Sequence, residues 1–200
     1  MFLFGVTGGI GSGKSTVCDL LRAKGIPIIE ADPLAKELTN RLPEIHEALK
    51  AEFGADIYFP NGLLNKAKLT QLVFTDSITR RRINGIIHPH VLKAIKAEAA
   101  RLETQDGHHL IGVEAALIFE AKMENELDAV IVVDAPEEIR MHRIGGRDHL
   151  KPNDIRQRMD SQMRVSEKRR KADYLIDNIG SLVELSLEVD KLYDWLASKA

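Results

Sequence analysis

Residues 7–16 are the part of the chain whose residue types and spacing point most directly to chemistry. They read TGGIGSGKST and contain the pattern G-x-x-x-x-G-K-S, from Gly8 through Gly13, Lys14 and Ser15. Glycines let the backbone curl so that successive N–H groups point at phosphate oxygens, and the N-terminus of a following helix adds partial positive charge. This segment, the glycine loop, predicts a nucleoside triphosphate site rather than an ordinary strand-to-helix turn.

Each residue type in the loop has a predicted role. Lys14 is expected to reach the β- and γ-phosphates and to act in catalysis, while the hydroxyl of Ser15 is expected to bind Mg²⁺. ATP with Mg²⁺ is the expected donor, and the residues of the loop leave the choice between ATP and GTP open. The predicted ATP-binding residues are Gly9, Ile10, Gly11, Ser12, Gly13, Lys14, Ser15 and Thr16.

The surrounding elements fit this site. Helical patterns alternate with apolar runs that predict strands, and this alternation predicts an α/β fold with a doubly wound parallel sheet of five strands, of P-loop kinase type. Residues after Lys14 predict a helix ended by Gly25 and Pro27, and Pro89 and Pro136 are expected to open two more helices. The predicted strands are 2–6, 27–30, 110–114, 129–134 and 174–177.

Two stretches interrupt the alternation, and they divide a single 200-residue kinase domain into sub-regions. Residues 34–105 predict a helical insertion between the second and third strands. Residues 139–171 are rich in basic side chains and predict a helical lid, with a loop at 147–152 between two helices. The nucleotide-binding core would comprise 1–33, 106–138 and 172–200.

Two carboxylates are expected at the ligand crevice, because the carboxyl ends of parallel strands border it. Asp32 follows the second strand and could accept a proton from an acceptor hydroxyl or help to position Mg²⁺. The alternative for Asp32 is a helix cap before Pro33. Glu114 ends the third strand and could bind substrate or metal-bound water, or be an ordinary strand-end carboxylate.

Basic side chains in the predicted lid could contact the transferred phosphate. Arg140, Arg143 and Arg147 lie at i, i+3 and i+7, so they share roughly one helical face. A guanidinium there can clamp phosphate oxygens, although a solvated basic face is the alternative. Arg143 and Arg147 are the predicted catalytic arginines. Among the histidines, His88 before Pro89 is the one of interest, with a structural role as its alternative.

Composition narrows the classes of function. The net charge of −2 gives no indication of nucleic acid or an anionic membrane as partner, and no obligate protein partner is indicated. Cys18 is the only cysteine, which fits a reducing cytoplasm and excludes an internal disulfide. The first residues predict a strand rather than a signal peptide, and no apolar run reaches membrane-span length. The chain is expected to be cytoplasmic.

Other nucleotide-binding classes fit less well. A GTPase would need an N-K-x-D motif, but Asn65-Lys66 is followed by Ala67 and Lys68. Motor ATPases are normally larger. A small-molecule kinase fits the length best, and a nucleotide-binding switch that transfers no phosphate is the alternative from another class.

The chain resembles the dephospho-coenzyme A kinase family over nearly its whole length. The most particular matches are RINGIIHPHV at 82–91 and EKRRKADYLIDNIG at 167–180. The others are TGGIGSGKST at 7–16, IIEAD at 28–32, FGADIYFPNGLLNKAKL at 53–69, ALIFE at 116–120, VVDAPEE at 132–138, Arg143, Arg147-Asp148 and the QM pair at 162–163.

The resemblance implies that ATP phosphorylates the ribose 3′-hydroxyl of dephospho-coenzyme A, the last step of coenzyme A synthesis. It implies a P-loop core, a coenzyme A-binding helical insertion and a lid. Asp32 matches the family's proposed catalytic base, and Asp32, His88 and Glu114 become the expected substrate-binding residues. Two departures stand out: Ala116 replaces a usual proline, and Gly145-Gly146 predicts a flexible lid hinge. Another small-molecule P-loop kinase, acting on a nucleotide or nucleoside, is the alternative.

Overall fold

Five parallel strands form the sheet in a computed structural model that describes residues 1–75, 77–148, 155–156, 159–160 and 162–199. Their order in the sheet is β2-β3-β1-β4-β5. The predicted five-stranded parallel sheet is confirmed, and the predicted ends of three strands agree with the structure. The strands are β1 (Phe2–Gly8), β2 (Ile28–Glu30), β3 (Leu110–Glu114), β4 (Ala129–Asp134) and β5 (Tyr174–Asp177).

The helices, numbered along the described part of the chain, flank or interrupt the strands. They are α1 (Lys14–Ala23), α2 (Ala31–Arg41), α3 (Pro43–Phe53), α4 (Lys66–Thr75), α5 (Ser77–Asp106), α6 (Glu137–Asp148), α7 (Val165–Lys171) and α8 (Leu182–Ala197). Internal contacts divide the chain into two units. The first comprises Met1–Glu30 with Glu98–Ala200, and the second comprises Ala31–Ala97.

The first unit contains the whole sheet. One core cluster joins α1 and α8 to the sheet through buried apolar side chains such as Phe4, Leu21 and Val189. The central strands β1 and β4 are almost entirely buried, which is why their sequences are continuously apolar. On α7, Arg169 pairs with Asp134 at 2.8 Å and also with Asp177, so it ties that helix to the ends of β4 and β5.

Strand register gathers three segments at one edge of the first unit. Gly8 at the end of β1 is paired with Val133 of β4, and Val6 is paired with Glu114 at the end of β3. Because all the strands run in the same direction, the chain leaves each of them at the same edge. The glycine loop, Glu114 and the residues after β5 therefore lie along that edge.

The second unit has its own small core. Ile45 and Leu49 of α3 pack with Ile57 and Tyr58, which lie in a 3₁₀ turn and the residue after it. The Tyr58 hydroxyl donates to the carbonyl of Thr39 at 2.8 Å, and its ring stacks on His46 at 4.0 Å between centroids. The unit therefore holds α3 and the 55–57 turn together without help from the sheet.

Two local predictions were wrong. Pro89 does not open a helix but lies inside α5, where it cannot donate to the carbonyl of Gly85 and its ring crowds that carbonyl. The helix after Pro136 runs through Arg147 to Asp148, so the predicted loop at 147–152 does not begin at 147, and residues 149–152 lie outside the described residues. In α8, Leu185 and Val189 are buried, whereas Val183 and Leu187 are exposed.

No helix in the described part of the chain has both the length and the apolar character that a bilayer crossing requires.

Candidate active site

The glycine loop occupies the turn between β1 and α1. Gly13 precedes α1 with a left-handed backbone, at φ 93°, and Gly11 has φ 80°. A Cβ on Gly13 would lie 2.2 Å from Nδ2 of Asn178, so no side chain fits there. The N–H of Ser12 donates to the carbonyl of Gly9 at 3.0 Å, and the buried Ser12 hydroxyl has no hydrogen-bond partner among the described residues. The backbone thus forms a tight concave turn that only glycines permit.

Asn178 holds the loop from the residues that follow β5. Its side-chain amide donates to the carbonyl of Ser12 at 2.8 Å, and its own backbone N–H donates to the carbonyl of Asp134 at 2.7 Å. The side chain is buried. Because the donor and the acceptor are both shielded from water, this bond fixes the loop against the edge of the sheet.

Arg143 of α6 lies over the same loop. Its guanidinium donates to the carbonyl of Ser12 at 3.4 Å, to the carbonyl of Asn178 at 3.3 Å and to the Asn178 side-chain oxygen at 3.4 Å. These three partners are neutral oxygens and not carboxylates, so the positive charge of Arg143 is left for an anion. The predicted catalytic arginine is therefore placed where it can reach an anion bound by the loop.

Arg140 also faces the loop. Its Nε donates to the carbonyl of Ala135 at 3.0 Å, and a Cβ on Gly9 would lie 2.6 Å from its Nη1. Arg140 is largely buried, so its guanidinium is held in one direction. The backbone of Arg147 lies in α6, but its side chain is outside the described part of the structure. Its predicted catalytic role stays a prediction.

Glu114 lies at the end of β3 within the electrostatic reach of Lys14. Burial raises the pKa of Glu114, the positive charge of Lys14 opposes that rise, and Glu30 adds to it. The thiol of Cys18 also interacts with Glu114, and burial raises the pKa of Cys18. The structure therefore brings Glu114 and Lys14 together, as expected for residues bordering one crevice.

Asp32 and His88 belong to the second unit. Asp32 is the second residue of α2, so it lies inside the first turn and is not the cap that the alternative required. It is exposed and follows Glu30, the last residue of β2, by two positions. His88 lies inside α5 rather than before a helix, and burial lowers the pKa of its imidazole.

Ser15, the predicted Mg²⁺ ligand, lies in the first turn of α1 and is exposed. In the described part of the chain, no group of three or more His, Cys, Asp and Glu side chains could hold a metal ion. A cation at this loop would therefore need oxygens from a bound phosphate and from water in addition to the serine hydroxyl. That is the usual way in which Mg²⁺ is bound beside nucleotides.

Comparison with known proteins matches this chain to a family. The family model described as Dephospho-CoA kinase matches residues 2–184. The chain belongs to the dephospho-CoA kinase family. The predicted family, fold type and enzyme class, an ATP-dependent phosphotransferase with an alcohol group as acceptor, are confirmed.

Curated relatives support the same conclusion. The dephospho-CoA kinase of Anaeromyxobacter dehalogenans is 38% identical over 192 residues, which span 96% of this chain and 90% of the relative. The dephospho-CoA kinase of Arabidopsis thaliana is 36% identical over 192 residues, which span 96% of this chain and 82% of the relative. The likeness therefore includes the glycine loop, the helical insertion and α8.

Solved structures agree in fold. The structure of TT1252 from Thermus thermophilus matches with a TM-score of 0.83 and 33% identity, over 98% of this chain and 97% of that one. Dephospho-CoA kinase from Campylobacter jejuni matches with a TM-score of 0.69 and 26% identity, over 99% and 98%. Shikimate kinase from Acinetobacter baumannii, at 15% identity and a TM-score of 0.56, shares the fold alone.

Sequence reasoning gave no role to Asn178, although it lies in the segment ADYLIDNIG that carried the resemblance to the dephospho-CoA kinase family. Its contact with Ser12 joins residues 166 positions apart, so no local pattern could reveal it. The same holds for Lys168, which lies in the same segment at 167–180, and for Glu120 and Gln162, which lie in the segments 116–120 and 162–163. The signal that could have found them was their presence in those segments.

Proposed function

We propose that this chain transfers the γ-phosphate of ATP to the ribose 3′-hydroxyl of dephospho-CoA, giving CoA and ADP as the last step of CoA synthesis. The observation that carries the proposal is the glycine loop held by Asn178 and faced by Arg143, in a chain that matches dephospho-CoA kinases over almost its whole length. The substrates are ATP and dephospho-CoA, and the site of action is the cytoplasm.

The donor would bind at the glycine loop. Backbone N–H groups at the end of the loop and the N-terminus of α1 would provide donors and partial positive charge for the phosphates. Lys14 and Arg143 add full positive charges at the loop, and Arg147 would add a third positive charge. These cations stabilise the negative charge that spreads over the γ-phosphate oxygens during transfer, which is the main catalytic requirement of phosphoryl transfer.

Mg²⁺ bound with ATP would neutralise charge on the β- and γ-phosphates. Ser15 would hold it through its hydroxyl, and the exposed position of that residue in the first turn of α1 fits this role. Glu114 lies near Lys14 and could orient water around the cation or contact the acceptor. These assignments rest on the chemistry of the oxygen donors.

Asp32 would accept the proton of the acceptor hydroxyl. It is exposed and lies two residues after the end of β2, in the first turn of α2. A charged carboxylate is the form that can act as a base. The second unit, with His88 in α5, would supply recognition of dephospho-CoA. Transfer would be direct, without a phosphorylated enzyme.

The proposal is tested by measuring acceptor-dependent ADP release. The chain is incubated with ATP, Mg²⁺ and one acceptor at a time: dephospho-CoA, adenosine, a nucleoside monophosphate, or none. We expect rapid release with dephospho-CoA alone. Preference for a nucleoside or nucleotide would favour the other class of P-loop kinase, and slow release that ignores every acceptor would favour a nucleotide-binding switch. Lys14→Ala is the inactive control.

A further inference from the structure

The segment that immediately precedes α7 contacts the glycine loop directly. The backbone N–H of Ile10 donates to Oε1 of Gln162 at 3.1 Å. The next residue, Met163, donates its backbone N–H to Oε1 of Glu120 at 2.7 Å. Residues 162–163 therefore join the loop on one side to the segment after β3 on the other.

Glu120 also pairs with a buried lysine of α7. The ammonium of Lys168 lies 2.9 Å from Oε1 of Glu120, and it donates to the carbonyl of Ala116 at 2.8 Å. The side chain of Lys168 is 0% exposed, which is rare for a lysine and costs free energy unless the charge is paired. Burial lowers the pKa of Lys168, and Glu120 opposes that effect.

The carbonyl of Ala116 completes a ring of contacts. It also accepts a hydrogen bond from the hydroxyl of Thr7 at 3.3 Å, and Thr7 is a buried residue of β1 and the first residue of the glycine loop. The contacts thus run from Thr7 through Ala116, Lys168 and Glu120 to residues 162–163, and from there back to Ile10. Both sides of the first half of the loop are held by one hydrogen-bonded network.

We propose that Gln162, Glu120 and Lys168 are positioning residues that hold the glycine loop in its phosphate-binding shape. Lys168 is fully enclosed, so it acts through Glu120 and Ala116 rather than on a phosphate. Gln162 accepts a hydrogen bond from the Ile10 N–H, so this donor holds the shape of the loop and the neighbouring N–H groups are left to bind phosphate. This inference rests on the proposed function for the identity of the donor, but it makes no use of the acceptor.

Gln162→Met is the sharpest test, because methionine has a similar length and no acceptor oxygen, and Gln162 is only partly buried. Binding of a non-hydrolysable ATP analogue is measured by titration calorimetry without an acceptor. We expect affinity to fall by about 5- to 20-fold, as for loss of one positioned hydrogen bond, with little change in melting temperature. An unchanged affinity would overturn the role of Gln162.

Lys168 is tested against a lysine of the same helix. Lys168→Met should raise the KM for ATP and lower the melting temperature, while Lys168→Arg, which retains the charge, should recover part of the ATP affinity. Lys171→Met is the matched control, since Lys171 is exposed and lies 3.6 Å from Glu124. A KM for ATP that is the same in the folded Lys168→Met and Lys171→Met variants would contradict the network.

These outcomes are separable from those of the proposed function. If Gln162→Met leaves ATP-analogue binding unchanged and the chain still phosphorylates dephospho-CoA, only the positioning role is refuted. Conversely, a chain that prefers another acceptor would still bind the analogue less tightly after Gln162→Met.

Discussion

The side-chain amide of Asn178 and the backbone carbonyl of Ser12 form a buried hydrogen bond of 2.8 Å between the residue that follows the last strand and the glycine loop. The same asparagine accepts hydrogen bonds from Arg143 through both of its oxygens. Asn178 thus links the loop that would bind the phosphates to the arginine that would stabilise their charge. Substitution of Asn178 should therefore affect both the glycine loop and the position of Arg143.

Asn178→Leu should weaken ATP binding and lower stability. Leucine has a similar volume but no amide, so the buried carbonyl of Ser12 loses its 2.8 Å hydrogen bond and retains only the 3.4 Å bond from Arg143. The expected cost is about 1–3 kcal/mol in the free energy of unfolding. Urea unfolding and ATP-analogue titration measure the two effects. Asn61→Ala, which removes an exposed contact with the N–H of Leu63, is the control and should leave both quantities unchanged. Stability equal to that of the parent would refute the anchoring role.

Arg143→Lys should lower kcat/KM for ATP by roughly 10- to 100-fold, the cost of a hydrogen bond to a charged group. Lysine retains the charge but not the planar fork that reaches several oxygens at once. Arg41→Lys is the matched control, because Arg41 is exposed and pairs with Glu37 on its own helix. If the two variants turn over at the same rate, Arg143 does not contact the transferred phosphate.

Glu114→Gln should stabilise the chain at neutral pH. Burial raises the pKa of Glu114, so the folded chain keeps that proton to higher pH than the unfolded chain does. Stability is therefore lost as pH rises from the ordinary value of 4.5 through the folded-state pKa, and the loss persists above it. The stability gained by Glu114→Gln should shrink as pH falls below that ordinary pKa value. Melting temperatures from acid to neutral pH measure it, and a gain independent of pH would contradict the account.

Gly146→Ala should raise stability by about 0.5–1 kcal/mol, because a glycine inside a helix costs about that much relative to alanine. Gly146 lies in α6 and a Cβ there would meet no atom within 4 Å. Gly25→Ala is the control: it has equal space but φ +84°, so it should destabilise. A lower melting temperature for Gly146→Ala would contradict the helical assignment. A fall in turnover beside a rise in stability would support the predicted hinge.

Asp32→Asn should lower turnover by about 10²–10⁴-fold, the usual worth of a general base, while ATP affinity changes far less. Asparagine preserves the size of the side chain and removes the proton acceptor. Glu37→Gln on the same helix is the control, since it also removes one exposed carboxylate. Turnover within a few-fold of the parent would exclude Asp32 as the base. A large loss of ATP–Mg²⁺ binding would assign Asp32 to the metal instead.

Much of the fold could be predicted because the strands are buried on both faces. β3, β4 and β5 are short apolar runs with polar or glycine residues at their ends, so their limits are visible in the sequence. The buried face of α8 could not be predicted, because apolar residues lie on more than one side of the helix, at Val183, Leu185, Leu187 and Val189. Only packing against α1 and the sheet decides which of them are buried.

The site was predictable where its residues are adjacent in sequence and unpredictable where they are distant. The glycine loop carries its function in ten consecutive residues, whereas Asn178, Gln162 and Lys168 act on it through long-range contacts. Pro89 shows a different limit. Proline favours the first turn of a helix, but a long helix such as α5 can accept it inside at the cost of one hydrogen bond and a crowded carbonyl.

The identity of the phosphorylated product tests most directly whether the chain phosphorylates the ribose 3′-hydroxyl of dephospho-CoA. The chain is incubated with ATP, Mg²⁺ and dephospho-CoA, or with its 3′-deoxy analogue, and the products are examined by phosphorus NMR and chromatography. We predict CoA, with phosphate on the ribose 3′-oxygen and one ADP for each CoA formed, and no transfer to the analogue. Phosphate at another position, or ADP released equally with the deoxy analogue, would contradict the account.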